Sequence, residues 1–160
     1  MGLLLSSALL GDEAALAGDC RQALRPLLSQ LNPEASRLQQ VRLLCEREAR
    51  NGDADATYQL SLFHLGLTDW APETAIPMMR TAANEGVPEA QYWLAWQYEA
   101  GPLLEDDPVR ALHWYQAAGN GQHRLALQRL ADAYANGALG LAVNPAESIR
   151  LRALAASCSQ

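Results

Sequence analysis

The small and large apolar residues of this chain return in step, and that recurrence restricts the fold more than any other feature. Ala90, Leu94 and Tyr98 come back 36 residues later as Ala126, Leu130 and Tyr134. The same positions hold Ala56, Leu60 and, imperfectly, His64, 34 residues earlier. Ala83 and Gly86 return as Ala118 and Gly121 and are anticipated by Ala49 and Gly52. Gly101 returns as Gly137, with Gly66 near the earlier position. Self-similarity at 34 to 36 residues marks a helical solenoid, whose units bury their apolar faces against one another.

Within one unit the spacing predicts two helices. Ala90, Leu94 and Tyr98 lie four apart and share one helical face, the alanine admitting a close neighbour and the larger side chains filling the space beyond it. Gly101 is expected to end that helix in the left-handed conformation. Asp107-Pro108 is a cap acceptor followed by proline at the first helical position, a signal repeated at Asn144-Pro145. Ala111, Trp114 and Ala118 then form one stripe on a second helix that Gly121 closes. Pro77 falls inside the corresponding earlier helix, so a bend or a late start is expected there.

The run from Ala90 through Gln91, Tyr92, Leu94, Tyr98 and Gly101, followed by Asp107, Ala111, Trp114, Tyr115, Ala117, Ala118 and Gly121, closely resembles the Sel-one-like repeat (SLR), a relative of the tetratricopeptide repeat. The resemblance extends from about Ala49 to Ser157. It departs from the pattern at His64, Met78 and Pro77 in the first unit and at Ser148 and Leu151 in the third. It implies an all-α, right-handed α-α superhelix of about three units, spanning 49–82, 83–118 and 119–157, in a single domain. Residues 1–48 would form an N-terminal helical cap. The resemblance further implies a bacterial scaffold that assembles protein complexes.

With 160 residues, 49% of them apolar and 19% charged, the composition is that of an ordinary globular domain. A net charge of −6 repels phosphate backbones and argues against nucleic acid. No run approaches the length of a membrane span. All the basic residues are arginine, which fits either a compositional bias or bidentate carboxylate recognition. The segment Met1–Gly11 is too short and too acidic at its end for a signal peptide, and Leu3 to Ala17 reads as a capping helix. As written, the chain reads as cytoplasmic; it would be periplasmic if Met1-Gly2 replaced a removed signal.

Asp19–Leu31 and Glu34–Arg50 read as two helices divided at Asn32-Pro33. In an antiparallel hairpin Cys20 and Cys45 fall nearly opposite each other, consistent with either a disulfide or two buried thiols. Cys158 has no evident mate.

The chemistry that could make an enzyme is thin. His64 occupies a core position, His113 faces outward, and His123 opens the third unit; none is joined by other ligands at metal spacing. Asp107 is accounted for as a cap, leaving Glu105 and Asp106 as a solvated loop. No phosphate loop, catalytic triad or acid–base pair is visible. The expectation is a non-enzymatic protein without cofactor or metal. In this family the leading helices line a concave groove, whose aligned variable positions are Gln59, Trp93 and Arg129, then Phe63, Gln97 and Ala133. Trp96 is expected in the core, and Trp70 is expected to fold back over the solenoid. A mix of Trp, Arg and Gln suits a protein-binding surface. The groove is therefore expected to take a peptide or helix of a partner protein. A carbohydrate- or cell-wall-binding module using Trp93, Trp70 or Tyr92 is the alternative, and self-association through a solenoid end remains open.

Overall fold

A computed structural model describes residues 19–158; the expected capping helix and the export reading at the N-terminus lie outside them. Eight helices follow in order: α1 (Cys20–Leu28), α2 (Ala35–Arg50), α3 (Ala54–Phe63), α4 (Pro72–Asn84), α5 (Pro88–Ala100), α6 (Pro108–Asn120), α7 (Arg124–Asn136) and α8 (Pro145–Ser157). Each packs on the next in chain order, and α1 also reaches α3. The only strand-like pairing among the described residues is a single bridge between Leu65 and Trp70. The chain is an all-α solenoid of stacked hairpins.

The start signals act as the local physics requires. Asp53, Asp107 and Asn144 accept from backbone N–H groups in the first turns of α3, α6 and α8, and Asp19 does the same for α1. Proline opens α4, α5, α6 and α8, where its missing N–H would have had no partner anyway. Helix α4 begins at Pro72 and runs through Pro77, so the late start expected from Pro77 does not occur. Pro77 is exposed one turn into the helix, where the carbonyl it leaves unbonded belongs to the exposed Glu73.

The turns between units fix the register. Val87 N–H donates to Ala82 O at 3.0 Å and His123 N–H to Ala118 O at 2.9 Å; in the preceding unit Asp53 N–H donates to Glu48 O at 3.1 Å. Gly52 (φ 88°), Gly86 (φ 95°) and Gln122 (φ 61°) occupy the same left-handed turn position. The residue equivalent to Gly86 is thus Gln122 rather than Gly121, and matching the two glycines slips the alignment by one. Gly121 is glycine for a different reason. A Cβ there would lie 2.7 Å from Pro88 Cγ, where the end of α6 meets the start of α5.

Gly101 also departs from expectation. Its backbone is extended (φ −81°, ψ 155°) rather than left-handed. A Cβ would stand 2.1 Å from Gln97 Oε1 and 2.5 Å from Gln97 Cα. The buried Gln97 folds across this position to accept from Leu103 N–H at 3.0 Å. Gly137 does end α7 in the left-handed region, at φ 71°.

The core forms three linked clusters along the stack. Leu24, Leu27, Val41, Leu44, Leu60 and Phe63 build the N-terminal one. Met79, Val87, Ala90 and Leu94 build the middle one, and Tyr98, Tyr115, Leu127, Leu130 and Leu151 the C-terminal one. Burying each large apolar side chain contributes about 1.5–3 kcal/mol. The sulfurs of Cys20 and Cys45 are bonded across α1 and α2, with their Cα atoms 4.9 Å apart. Cys158 is free. Leu24 and Leu60, 36 apart, sit in the same cluster, so the α1–α2 hairpin continues the packing of the units that follow.

Candidate binding face of the leading helices

Helices α3, α5 and α7 each turn one side into the core and leave another uncovered. The aligned positions Phe63, Gln97 and Ala133 are all buried. These residues were expected to meet a partner, and the structure instead spends them on packing and on the Gln97–Leu103 hydrogen bond. Gln59 is buried too, whereas its counterpart Trp93 is half-buried against the cluster containing Met79 and Leu94.

The uncovered positions lie one residue earlier. Trp96, Asp132, Gln128 and Leu125 are exposed there, whereas the counterparts Leu62, Tyr58 and Tyr92 are partly buried against the core clusters and Asp55 and Glu89 are partly covered. Trp96 is 43% exposed, which corrects its expected place in the core. Trp70 is 64% exposed in the short loop held by the Leu65 bridge, so it does not fold back over the solenoid. His64 is half-buried at the end of α3, where its Nδ1 lies 2.8 Å from Asp69 Oδ2. This contact, with a further hydrogen bond from Thr68, holds the Asp69 carboxyl below its usual range.

Charge is distributed along this side in braced pairs. Arg21 of α1 reaches Asp55 at 3.3 Å and also pairs with Glu89, tying the first hairpin to the next two leading helices. Burial pushes the Tyr58 hydroxyl up to about 12, and the nearby Glu89 carboxylate adds to the effect. Tyr58 therefore stays neutral throughout the physiological range.

Further along, Arg129 Nε donates to both oxygens of Glu99 at 2.8 and 3.0 Å, while Tyr115 donates to Glu99 Oε2 at 2.7 Å. Burial would raise the Glu99 carboxyl, but the hydrogen bonds from Arg129 and Tyr115 outweigh it and hold it below the ordinary value. Arg129 is thus occupied as a brace between α5 and α7. The Tyr92 ring stacks on His123, with centroids 4.5 Å apart. His123 Nδ1 accepts from Ala126 N–H at 3.3 Å, and burial lowers the tendency of this imidazole to take a proton.

Among the described residues no group of three or more His, Cys, Asp or Glu side chains is placed to hold a metal ion. No described helix is long and apolar enough to cross a membrane. The face offers aromatic and ionic surface, with Trp96 exposed and the Arg21 and Arg129 ion pairs beside it.

No protein-family profile matches the chain. Solved structures do. The crystal structure of a Sel1 repeat protein from Oxalobacter formigenes is similar over 71% of this chain and 86% of its own, at 30% identity and a TM-score of 0.66. The crystal structure of a protective antigen of uropathogenic Escherichia coli, which displays an SLR fold, is similar over 94% of this chain at 23% identity and a TM-score of 0.70. The present chain spans only 33% of that antigen's length, and at this identity the likeness speaks to fold alone. The repeat register, the stacked hairpins and the kinship with the Oxalobacter protein agree: the chain belongs to the Sel1 repeat family.

Proposed function

We propose that this protein is a non-catalytic adaptor that holds a segment of a partner protein against the uncovered side of α3, α5 and α7. The observation that carries the reading is the exposed Trp96, followed along the row by the exposed Asp132 and preceded by the partly buried Leu62. A large aromatic side chain is held partly in solvent there by a helix whose other faces are packed. Solenoids of this fold are generally protein–protein interaction scaffolds and typically lack catalytic activity. The braces Arg21–Asp55 and Arg129–Glu99 support the reading because they hold the face rigid before binding, which reduces the ordering cost of association. A saccharide platform gains less support. Tyr92, one of its candidate rings, is already stacked on His123.

Site-specific photo-crosslinking tests the assignment. Benzoylphenylalanine at position 96 or 132 is expected to trap the partner, whereas the same group at Val109, an exposed residue at the start of α6, is not. Equal trapping at all three positions, or trapping at Val109 alone, would reject this face.

A further inference from the structure

Two hollows among α4, α5 and α6 adjoin, and Arg80, Tyr98 and Arg110 line both of them. One, of about 340 Å³, is completed by Asn84, Leu94 and the half-buried Trp114. The other, of about 440 Å³, is completed by Leu104, Glu105, Asp106 and Asp107. At the waist between them the Tyr98 hydroxyl accepts from Arg80 Nη2 at 3.3 Å and from Arg110 Nη1 at 3.4 Å. The Arg110 guanidinium lies 5.5 Å from the centre of the Tyr98 ring. Because the Tyr98 oxygen accepts twice, its own hydrogen remains for a further acceptor. Arg110 Nε also pairs with Asp107 at 3.2 Å, a carboxylate already engaged in capping α6 through Oδ1. Arg80 meets no carboxylate among the described residues; its hydrogen bond is the one to Tyr98. Two positive groups are thus gathered on one neutral oxygen by long hydrogen bonds. Like charges held together repel, and an anion set between them turns that repulsion into attraction.

We propose that this waist is a binding site for one carboxylate side chain, aspartate or glutamate, in an internal segment of a partner polypeptide. A guanidinium presents its donors as a planar fork that matches a carboxylate, and such charge-assisted bonds are stronger than those to a neutral phenol. The carboxylate therefore draws Arg80 and Arg110 from the Tyr98 oxygen and leaves Tyr98 to donate. A phosphate is the poorer guest, because its second negative charge would face Glu105, Asp106 and Asp107. The site suits an internal residue rather than a chain end, since the hollows continue on both sides of the arginines and a chain can enter by one and leave by the other. Charge and polarity also set the neighbours. The hollow with Trp114 and Leu94 offers apolar surface to one flanking side chain, and the hollow with Glu105 and Asp106 attracts a basic one. This site uses none of the residues of the Trp96 face, and the failure of either leaves the other standing.

The test is an NMR titration of the full chain with acetyl-Lys-Leu-Glu-Leu-Lys-amide, which carries the same neighbours on both sides of its glutamate. Saturable shifts are expected at the side-chain Nε–H groups of Arg80 and Arg110 and at the Trp114 indole. The glutamine version of the peptide has one more net positive charge, so attraction to the chain's net charge of −6 alone would favour it. The site should instead bind it about tenfold more weakly or worse. Arg80→Gln, at an exposed position, should keep the fold and bring the two peptides level. Arg25→Gln, which removes the same charge from α1, should leave the preference for glutamate intact. The comparison of the two peptides requires no variant and decides the matter if Arg80→Gln disturbs folding. Phosphoserine in place of the glutamate should bind more weakly, as should acetyl-Lys-Leu-Leu with a free C-terminal carboxylate. The proposal is overturned if the glutamine peptide binds as tightly as the glutamate peptide, or if a folded Arg80→Gln keeps the preference. It is also overturned if the phosphoserine or chain-end peptide binds more tightly, or if the shifts lie away from Arg80 and Arg110.

Discussion

Gln122 carries a left-handed backbone that its two counterparts assign to glycine. A residue with a Cβ is strained there by about 1–2 kcal/mol, part of which is recovered because glycine is freer when unfolded. Gln122→Gly should therefore stabilise the fold by up to about 1 kcal/mol, read as a higher urea midpoint with an unchanged slope. Gly101→Ala should do the reverse. Its Cβ would displace Gln97 and strand the Leu103 N–H, an overpacking cost of about 1–3 kcal/mol. His123 supplies a pH dependence. Its folded-state proton affinity is lowered by burial, and its Nδ1 must be unprotonated to accept from Ala126 N–H. The associated stability is complete above the unfolded value of about 6.5 and is lost as pH falls below it. Thermal melts between pH 7.5 and 5 should show this loss, and His123→Asn, which keeps a capping acceptor, should reduce it.

At the scale of the helices, the phase explains which expectations held. Ala90, Leu94 and Tyr98 define the buried side of α5. At 3.6 residues per turn, Gln97 lies about 60° from the centre of that side, Trp93 about 100° and Trp96 about 160°. Burial follows this order: Gln97 is enclosed, Trp93 is half-buried and Trp96 is exposed. The signal that separates Trp96 from Phe63 and Gln97 was therefore present in the sequence, as an angle rather than a residue type. Other features were not legible. Gly101 reads as a helix terminator by composition, and only the path of the Gln97 side chain shows it to be a close-approach glycine. Likewise Arg129 looks like a free cation until Glu99, 30 residues away, is seen beneath it.

The α1–α2 hairpin depends on a link of a different kind. The Cys20–Cys45 bond closes a loop with a sequence separation of 25, and its removal in Cys20→Ala/Cys45→Ala should cost about 2–4 kcal/mol. The loss should appear first as faster amide exchange in α1 and α2, the two helices that the bond joins, while their packing on Leu60 and Phe63 and the ties of Arg21 to Asp55 and of Arg42 to Asp69 remain.

For the whole molecule, the repeating alanines and large apolars made the stacked architecture readable from sequence, since each unit needs them in the same place to seat its neighbour. The recurrence marks where the helices touch and is silent on what the uncovered side receives. That side differs from unit to unit, from the partly buried Leu62 to the exposed Trp96 and Asp132, while the frame around it stays constant, as a surface shaped for one partner would. The direct test is calorimetry of the partner trapped by photo-crosslinking, titrated into the wild-type chain and into Trp96→Ala. Loss of a central aromatic anchor of 2 kcal/mol or more corresponds to a weakening of about thirtyfold, and the account predicts a loss of that order with the melting temperature unchanged. Equal affinity of the two proteins would contradict it.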